Sequence, residues 1–188
     1  MIRQATISDC PTIAQLIYIV WQDMELDLVK EAPKAQVIDA IIKSCTEVTY
    51  RTYYQHIWVY EVAGEIAGCI IAYNANKELT YEQQWNALDL PLHIKKYGSP
   101  LPVKEAKDNE YYIETVAVFD RFRRQGIATK LLTYLLQQQP TLLWSLNCDK
   151  YNDQAFKLYQ KVGFIYEDDI TLYDHDYYHM VYQTLIDK

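Results

Sequence analysis

Residues 111–136, YYIETVAVFDRFRRQGIATKLLTYLL, constrain the fold more than any other stretch. Tyr111 to Val118 is rich in β-branched and aromatic residues, the composition of a strand. Residues 119–125 form a charged turn. From Gly126 to Gln138 the apolar positions Ile127, Leu131, Leu132, Leu135 and Leu136 recur at helical spacing. The chain therefore passes from a strand, through a basic turn, into a helix N-terminus. The first N–H groups of a helix have no partner within it and suit an anion. Gly126 lets a ligand approach the backbone and Ala128 keeps the next turn small. Arg123 and Arg124 add charges that can pair with phosphate oxygens. Such a turn can cradle a diphosphate. It lacks the second glycine of a dinucleotide fingerprint and the Gly-Lys-Ser/Thr of a P-loop.

Arg123-x-x-Gly126-x-Ala128, following Val116-Ala117-Val118, resembles a signature of the GNAT family, the GCN5-related N-acetyltransferases. A second string, Asn152-Asp153-Gln154-Ala155-Phe156-Lys157-Leu158-Tyr159-Gln160-Lys161-Val162-Gly163-Phe164, is similar to that family's Asn-x-x-Ala-x-x-Leu-Tyr-x-x-x-Gly-Phe. The two occur in the family's order, with one strand, residues 141–147, between them. The resemblance implies an α/β fold with a mixed, centrally splayed sheet flanked by helices. It also implies acetyl-CoA as co-substrate, with no metal.

The rest of the chain suits that layout. Its 188 residues suffice for one domain with a real core, expected over residues 1–188 with an insertion at about 75–110. Residues 1–6 are a first strand. Ser8 or Asp9 then caps a helix with Pro11 in its first turn. A connector over residues 21–33, placed to touch substrate, leads to a second helix at 34–48. Strands at 56–62 and 65–74 join at Ala63-Gly64, a hairpin signal. The long segment that follows contains a short helix at 81–88. It is a lid or acceptor wall, or a homodimer contact, or surface decoration. After Phe164 the expectation is a short strand at 165–167, a polar patch at 168–176 and a last strand at 177–185. His175 and His179 lie four apart, a metal spacing only on a helix, and neither is expected to bind one.

Composition narrows the function. A net charge of −7 argues against broad nucleic-acid binding and favours, weakly, a cationic acceptor. No stretch reaches the length of a membrane span, so no membrane partner is expected. The N-terminus lacks a secretory core, and the four scattered cysteines suit a reducing compartment. A cytoplasmic protein is the expectation.

Carried over by resemblance, Val116, Ala117 and Val118 hold the pantetheine arm, and Arg123, Arg124, Gln125, Gly126, Ile127, Ala128 and Thr129 hold the phosphates. Asn152 and Ala155 flank the arm. A backbone N–H near Val118 serves the oxyanion, and Tyr159 protonates the departing thiolate. The family's glutamate on the strand before the asparagine is matched here by Asn147, which cannot act as a base. Glu114 takes that role by placement, or is an ordinary outward-facing carboxylate. The implied activity is N-acetylation of a small-molecule primary amine. Acetylation of protein N-termini or lysines is the alternative within the family, and a non-catalytic acyl-CoA sensor the alternative outside it. Trp85 and Tyr97, with Asp89 and Asp108, are expected to bring the insertion onto an ammonium group.

Overall fold

The computed structural model describes residues 1–183. The chain runs β1 (Ile2–Gln4), α1 (Cys10–Asp23), α2 (Asp27–Glu31), α3 (Lys34–Thr46), β2 (Ile57–Val62), β3 (Glu65–Asn74), α4 (Glu78–Gln83) and α5 (Leu92–Lys95). It continues β4 (Tyr111–Val118), α6 (Ile127–Gln138), β5 (Trp144–Asp149), α7 (Asp153–Val162), β6 (Ile165–Leu172) and β7 (His175–Tyr182). Seven strands form one sheet in the order β1-β2-β3-β4-β5-β7-β6. Every neighbouring pair is antiparallel except β4 and β5. That parallel pair registers only at Tyr111 with Trp144 and Tyr112 with Ser145. Beyond Tyr112 the two strands part, and the mixed sheet is splayed at its centre.

Helices α1 and α3 lie on one face of the sheet, and α6 lies against β2, β3 and β4 on the other. β3 is buried from Ile66 to Tyr73 and serves both faces. Cys69, Ile71 and Tyr73 join the core under α1, with Ile13, Ile17 and Trp21. Ile70 and Ala72 join the core under α6, with Leu131, Leu132 and Leu135. An apolar run without alternation is what a strand covered on both sides requires.

Gly68 of β3 sits where its neighbour comes closest. A Cβ there would stand 2.6 Å from the Ala117 carbonyl oxygen on β4. Gly68→Ala should therefore cost about 1–3 kcal/mol, the usual penalty for overpacking. Urea unfolding checks this, and an unmoved midpoint would show that β3 and β4 separate freely.

Several boundaries differ from the sequence reading. The connector at 21–33 contains α2. The strand expected at 141–147 starts at Trp144 and reaches Asp149. The polar patch at 168–176 is mostly strand: β6 continues to Leu172, and Tyr173 and Asp174, both at positive φ, turn the chain into β7. β6 is the outer strand, with most of its side chains in water, so Asp168 and Asp169 fit a strand there. The last strand begins at His175, and residues 184–185 of the expected strand lie outside the described residues. In the insertion, helix begins at Glu78, earlier than expected, and passes into a 3-10 turn ending at Ala87. No helix among the described residues is long and apolar enough to cross a membrane.

Candidate active site

The turn between β4 and α6 has the backbone that an anion needs. Arg124 has φ 62° and Gly126 has φ 73°, with α6 starting at the next residue. Left-handed residues beside a helix start turn successive N–H groups to one side. Nothing lies within 4 Å of where a Cβ on Gly126 would stand, so the space over the turn is open. A cleft of about 530 Å³ begins there. Val116, Ala117 and Val118 line it from β4, and Arg123, Arg124, Gly126, Ile127 and Ala128 from the turn and α6. Asn152, Ala155 and Tyr159 line it from α7. Of the cradle residues expected from the sequence, Gln125 and Thr129 do not reach the cleft. Its remaining wall comes from α1, through Leu16, Val20 and Asp23, which nothing in the local sequence pattern announced.

The charges differ in readiness. The Arg123 guanidinium is paired with Asp120 at 2.9 Å, and its Nε donates to the Val118 carbonyl at 3.3 Å. Arg124 forms no ion pair among the described residues. Asn152 caps α7, its Oδ1 accepting from the Ala155 N–H at 3.0 Å, while the backbone leaves the helix at Gly163. Burial raises the Tyr159 phenol well above its ordinary range, so the hydroxyl stays protonated.

A second cavity, of about 190 Å³, adjoins the cleft. Val20, Asp23, Val116, Asn152 and Tyr159 line both, so the two meet in the seam where β4 and β5 part. Glu114 lies on its wall, and a bulge puts it there. The register with β3 jumps from Thr115 to Ile113, which leaves Glu114 as the extra residue. Its side chain is only 4% exposed. Oε2 accepts from the Tyr73 hydroxyl at 2.5 Å, and Oε1 is buried with no partner. Glu114 is thus no outward-facing surface carboxylate. Burial pushes its pKa up to about 8 against the pull of Arg51.

Arg51, in the loop after α3, is fully buried. Its Nη1 donates to Glu78 at 2.7 Å and stands 3.4 Å from Glu105 and 4.0 Å from Glu114. Its Nε faces Glu82 at 2.7 Å as an ion pair, without the alignment of a hydrogen bond. Nη2 donates to the Leu101 and Val103 carbonyls at 2.5 and 2.9 Å. Glu78, Glu82, Glu105, Leu101 and Val103 all belong to the insertion, which is folded around this one guanidinium. Nothing in the sequence singled Arg51 out, because the partners of its guanidinium lie 22 or more residues away. Burial raises Glu78 to about 7.

The insertion thereby delivers Leu101 and Glu105 to the cavity wall. The residues expected to do so are elsewhere. Trp85 packs at a tilt against Trp21 and Tyr50 in the core, and Tyr97, Asp89 and Asp108 do not line the cavity. Asn147, where a base was ruled out, orders the floor instead. Its Nδ2 donates to the Glu105 carbonyl at 2.9 Å and to the Tyr112 hydroxyl at 3.2 Å, and its Oδ1 faces His179 Nδ1 at 2.7 Å.

A family model described as acetyltransferase (GNAT) family matches residues 18–164 of the chain. The chain belongs to the GNAT acetyltransferase family. An N-acetyltransferase from Staphylococcus aureus Mu50 is 60% identical, with a TM-score of 0.96 over 97% of this chain and 100% of its own. A further acetyltransferase structure is 33% identical, with a TM-score of 0.80 over 97% of this chain and 98% of its own. PaiA N-acetyltransferase from Thermoplasma acidophilum, solved in complex with coenzyme A, shares the fold at 13% identity, with a TM-score of 0.55 over 98% of each chain. No curated protein matches the chain. This GNAT protein is an acetyltransferase, and its family uses acetyl-CoA.

Proposed function

We propose that the protein moves the acetyl group of acetyl-CoA to the primary amine of a small molecule, with Glu114 as general base and Tyr159 as general acid. The observation that carries this reading is Glu114, which lines the cavity that opens onto the cleft and whose Oε1 is buried without a hydrogen-bond partner. A protein that only sensed acyl-CoA gains nothing from an unpaired carboxylate there, since burying it is costly. The cavity's small volume, closed on one side by the insertion, favours a small acceptor over a protein segment.

Bound in the cleft, acetyl-CoA supplies a thioester. Val116 to Val118 offer one open strand edge to the pantetheine arm, and the N–H groups of the Arg124–Ala128 turn face the diphosphate. An alkylammonium has a pKa near ~10.4 and must lose a proton before it attacks. Glu114 Oε1 takes that proton, directly or through water. Its raised pKa puts it close to working pH, where a base combines sufficient ionisation with sufficient strength. The new C–N bond forms first and turns the carbonyl oxygen into an oxyanion; as this collapses the C–S bond breaks, the Tyr159 hydroxyl gives its proton to the sulfur, and the nitrogen sheds its remaining extra proton to the Tyr159 oxygen. A backbone N–H near Val118 stabilises the oxyanion.

Glu114→Gln tests the reading. It should lower kcat about 10²–10⁴-fold on any accepted amine while acetyl-CoA still binds. The carboxylate is the active form, so wild-type kcat/KM should rise with pH through about 8. The variant should lose that inflection. A variant with full kcat and an intact limb would remove Glu114 from the chemistry.

A further inference from the structure

We infer that Tyr73 is the positioning residue for the base: its hydroxyl holds Glu114 by Oε2, leaves Oε1 as the oxygen that takes the proton, and ties the carboxyl group to Arg51. The inference rests on the acetyl-transfer reading above and deepens it.

The bulge in β4 makes this contact. β3 and β4 pair Ile71 with Thr115 and Ala72 with Ile113, so Glu114 has no partner on β3 in the register. Its side chain instead meets Tyr73, whose hydroxyl donates to Oε2 at 2.5 Å. Tyr73 is only 1% exposed. Its ring packs edge-on against Tyr81 at 5.7 Å and Tyr112 at 6.0 Å, which fixes where the hydroxyl points. A phenol has one proton to donate and two lone pairs. Burial keeps that proton in place. It goes to Glu114, and Arg51 Nη1 donates to the same phenol oxygen at 3.3 Å. Arg51 itself stands 4.0 Å from Glu114, so the hydroxyl bridges a gap too long for a direct hydrogen bond.

The other groups around Glu114 explain what the bridge does. Glu78 and Glu82 of α4 and Glu105 of the insertion share Arg51 with it. Asp23 of α1, Asp149 of β5, Tyr159 of α7 and Tyr177 of β7 line other parts of the cavity. Burial, Glu105 and Glu82 push Glu114 toward its neutral form, which cannot accept the proton of an amine. Arg51 and the Tyr73 hydrogen bond act the other way and favour the anion. With Oε2 held by the phenol, Oε1 is the oxygen without a partner. Tyr73 thus keeps the base both oriented and ionisable.

Tyr73→Phe keeps the ring and removes the hydroxyl. On one chosen amine, the rise of kcat/KM that the wild type shows at about pH 8 should move up by about one to two pH units, the effect of one hydrogen bond to a charged group. At pH ~7 the variant should have a kcat/KM about 10–100-fold lower, and the deficit should close as pH rises, whereas a merely structural defect persists at every pH. A ring-fluorinated tyrosine in place of Tyr73, a stronger donor of nearly the same size, should move the rise to lower pH, and it carries the test should the phenylalanine variant not fold. Folding is checked by the melting shift with acetyl-CoA. On a Glu114→Gln background, Tyr73→Phe should change kcat by less than about threefold, since a residue that acts through another adds little once that other is gone. A rise unmoved by both replacements of Tyr73, while Glu114→Gln loses it, would overturn the inference and leave Glu114 as the base. So would a full additional loss in the double variant. A rise kept by Glu114→Gln would remove the base and the inference together.

Discussion

Arg51→Met should remove about 3–5 kcal/mol of stability at neutral pH, the effect expected when one partner of a buried ionic cluster is taken away. Methionine fills much of the volume, so the loss is electrostatic rather than a cavity. It leaves Glu78, Glu82, Glu105 and Glu114 facing one another without a cation, and the Leu101 and Val103 carbonyls without their donor. The loss should depend on pH, with a definite sign. In the folded wild type Glu78 and Glu114 have pKa values raised to about 7 and about 8. A raised folded pKa means a stability contribution complete below the ordinary carboxyl value and lost as pH climbs through the raised one. Removing Arg51 removes the main force holding those values down. The penalty in the variant should therefore be mild near pH ~4, where carboxyls are protonated, and grow toward pH ~8. Urea midpoints at the two pH values check it. Equal midpoints for variant and wild type at the higher pH would mean that the insertion is held by something other than Arg51.

Gly126→Asp should abolish stabilisation by acetyl-CoA while leaving a folded protein. Saturation to 100 times the dissociation constant adds about 2.7 kcal/mol to a protein with one site, and the wild type should show it as a higher Tm. An aspartate at φ 73° is strained, though only by about 1–2 kcal/mol, and the space around its Cβ is empty of protein atoms. Its carboxylate would project over the turn, where an anion is to be bound, and oppose a diphosphate in both volume and charge. A full Tm shift in the variant would place acetyl-CoA away from this turn.

The parts legible in the sequence were those specified by local residues. The passage from β4 into α6 follows from residue types within one stretch, as does α7 between the Asn152 cap and Gly163. The parts not legible are joined across the chain. Arg51 stands alone in its own segment, and its carboxylates become partners only when the insertion closes over it. Glu114 was singled out by its place on the central strand, but its burial comes from a register jump that only strand pairing reveals. Trp85 and Tyr97 misled because aromatic residues near acids in sequence look like an ammonium site, whereas core packing claimed Trp85. The polar run at 168–176 misled because edge strands tolerate charge on the side chains that face water. The wall supplied by α1 was hidden for another reason. Val20 and Asp23 lie at the end of a helix whose periodicity reports its buried face and says nothing about what its last turn borders.

A crystal structure of the protein with acetyl-CoA tests the central claim most directly. The diphosphate should lie on the N–H groups from Arg124 to Ala128, with Arg123 released from Asp120. The pantetheine arm should follow β4 from Val118 to Val116, and the acetyl group should end in the seam between Tyr159 and the cavity that holds Glu114. A diphosphate bound elsewhere, or an acetyl group pointing away from that cavity, would contradict the account.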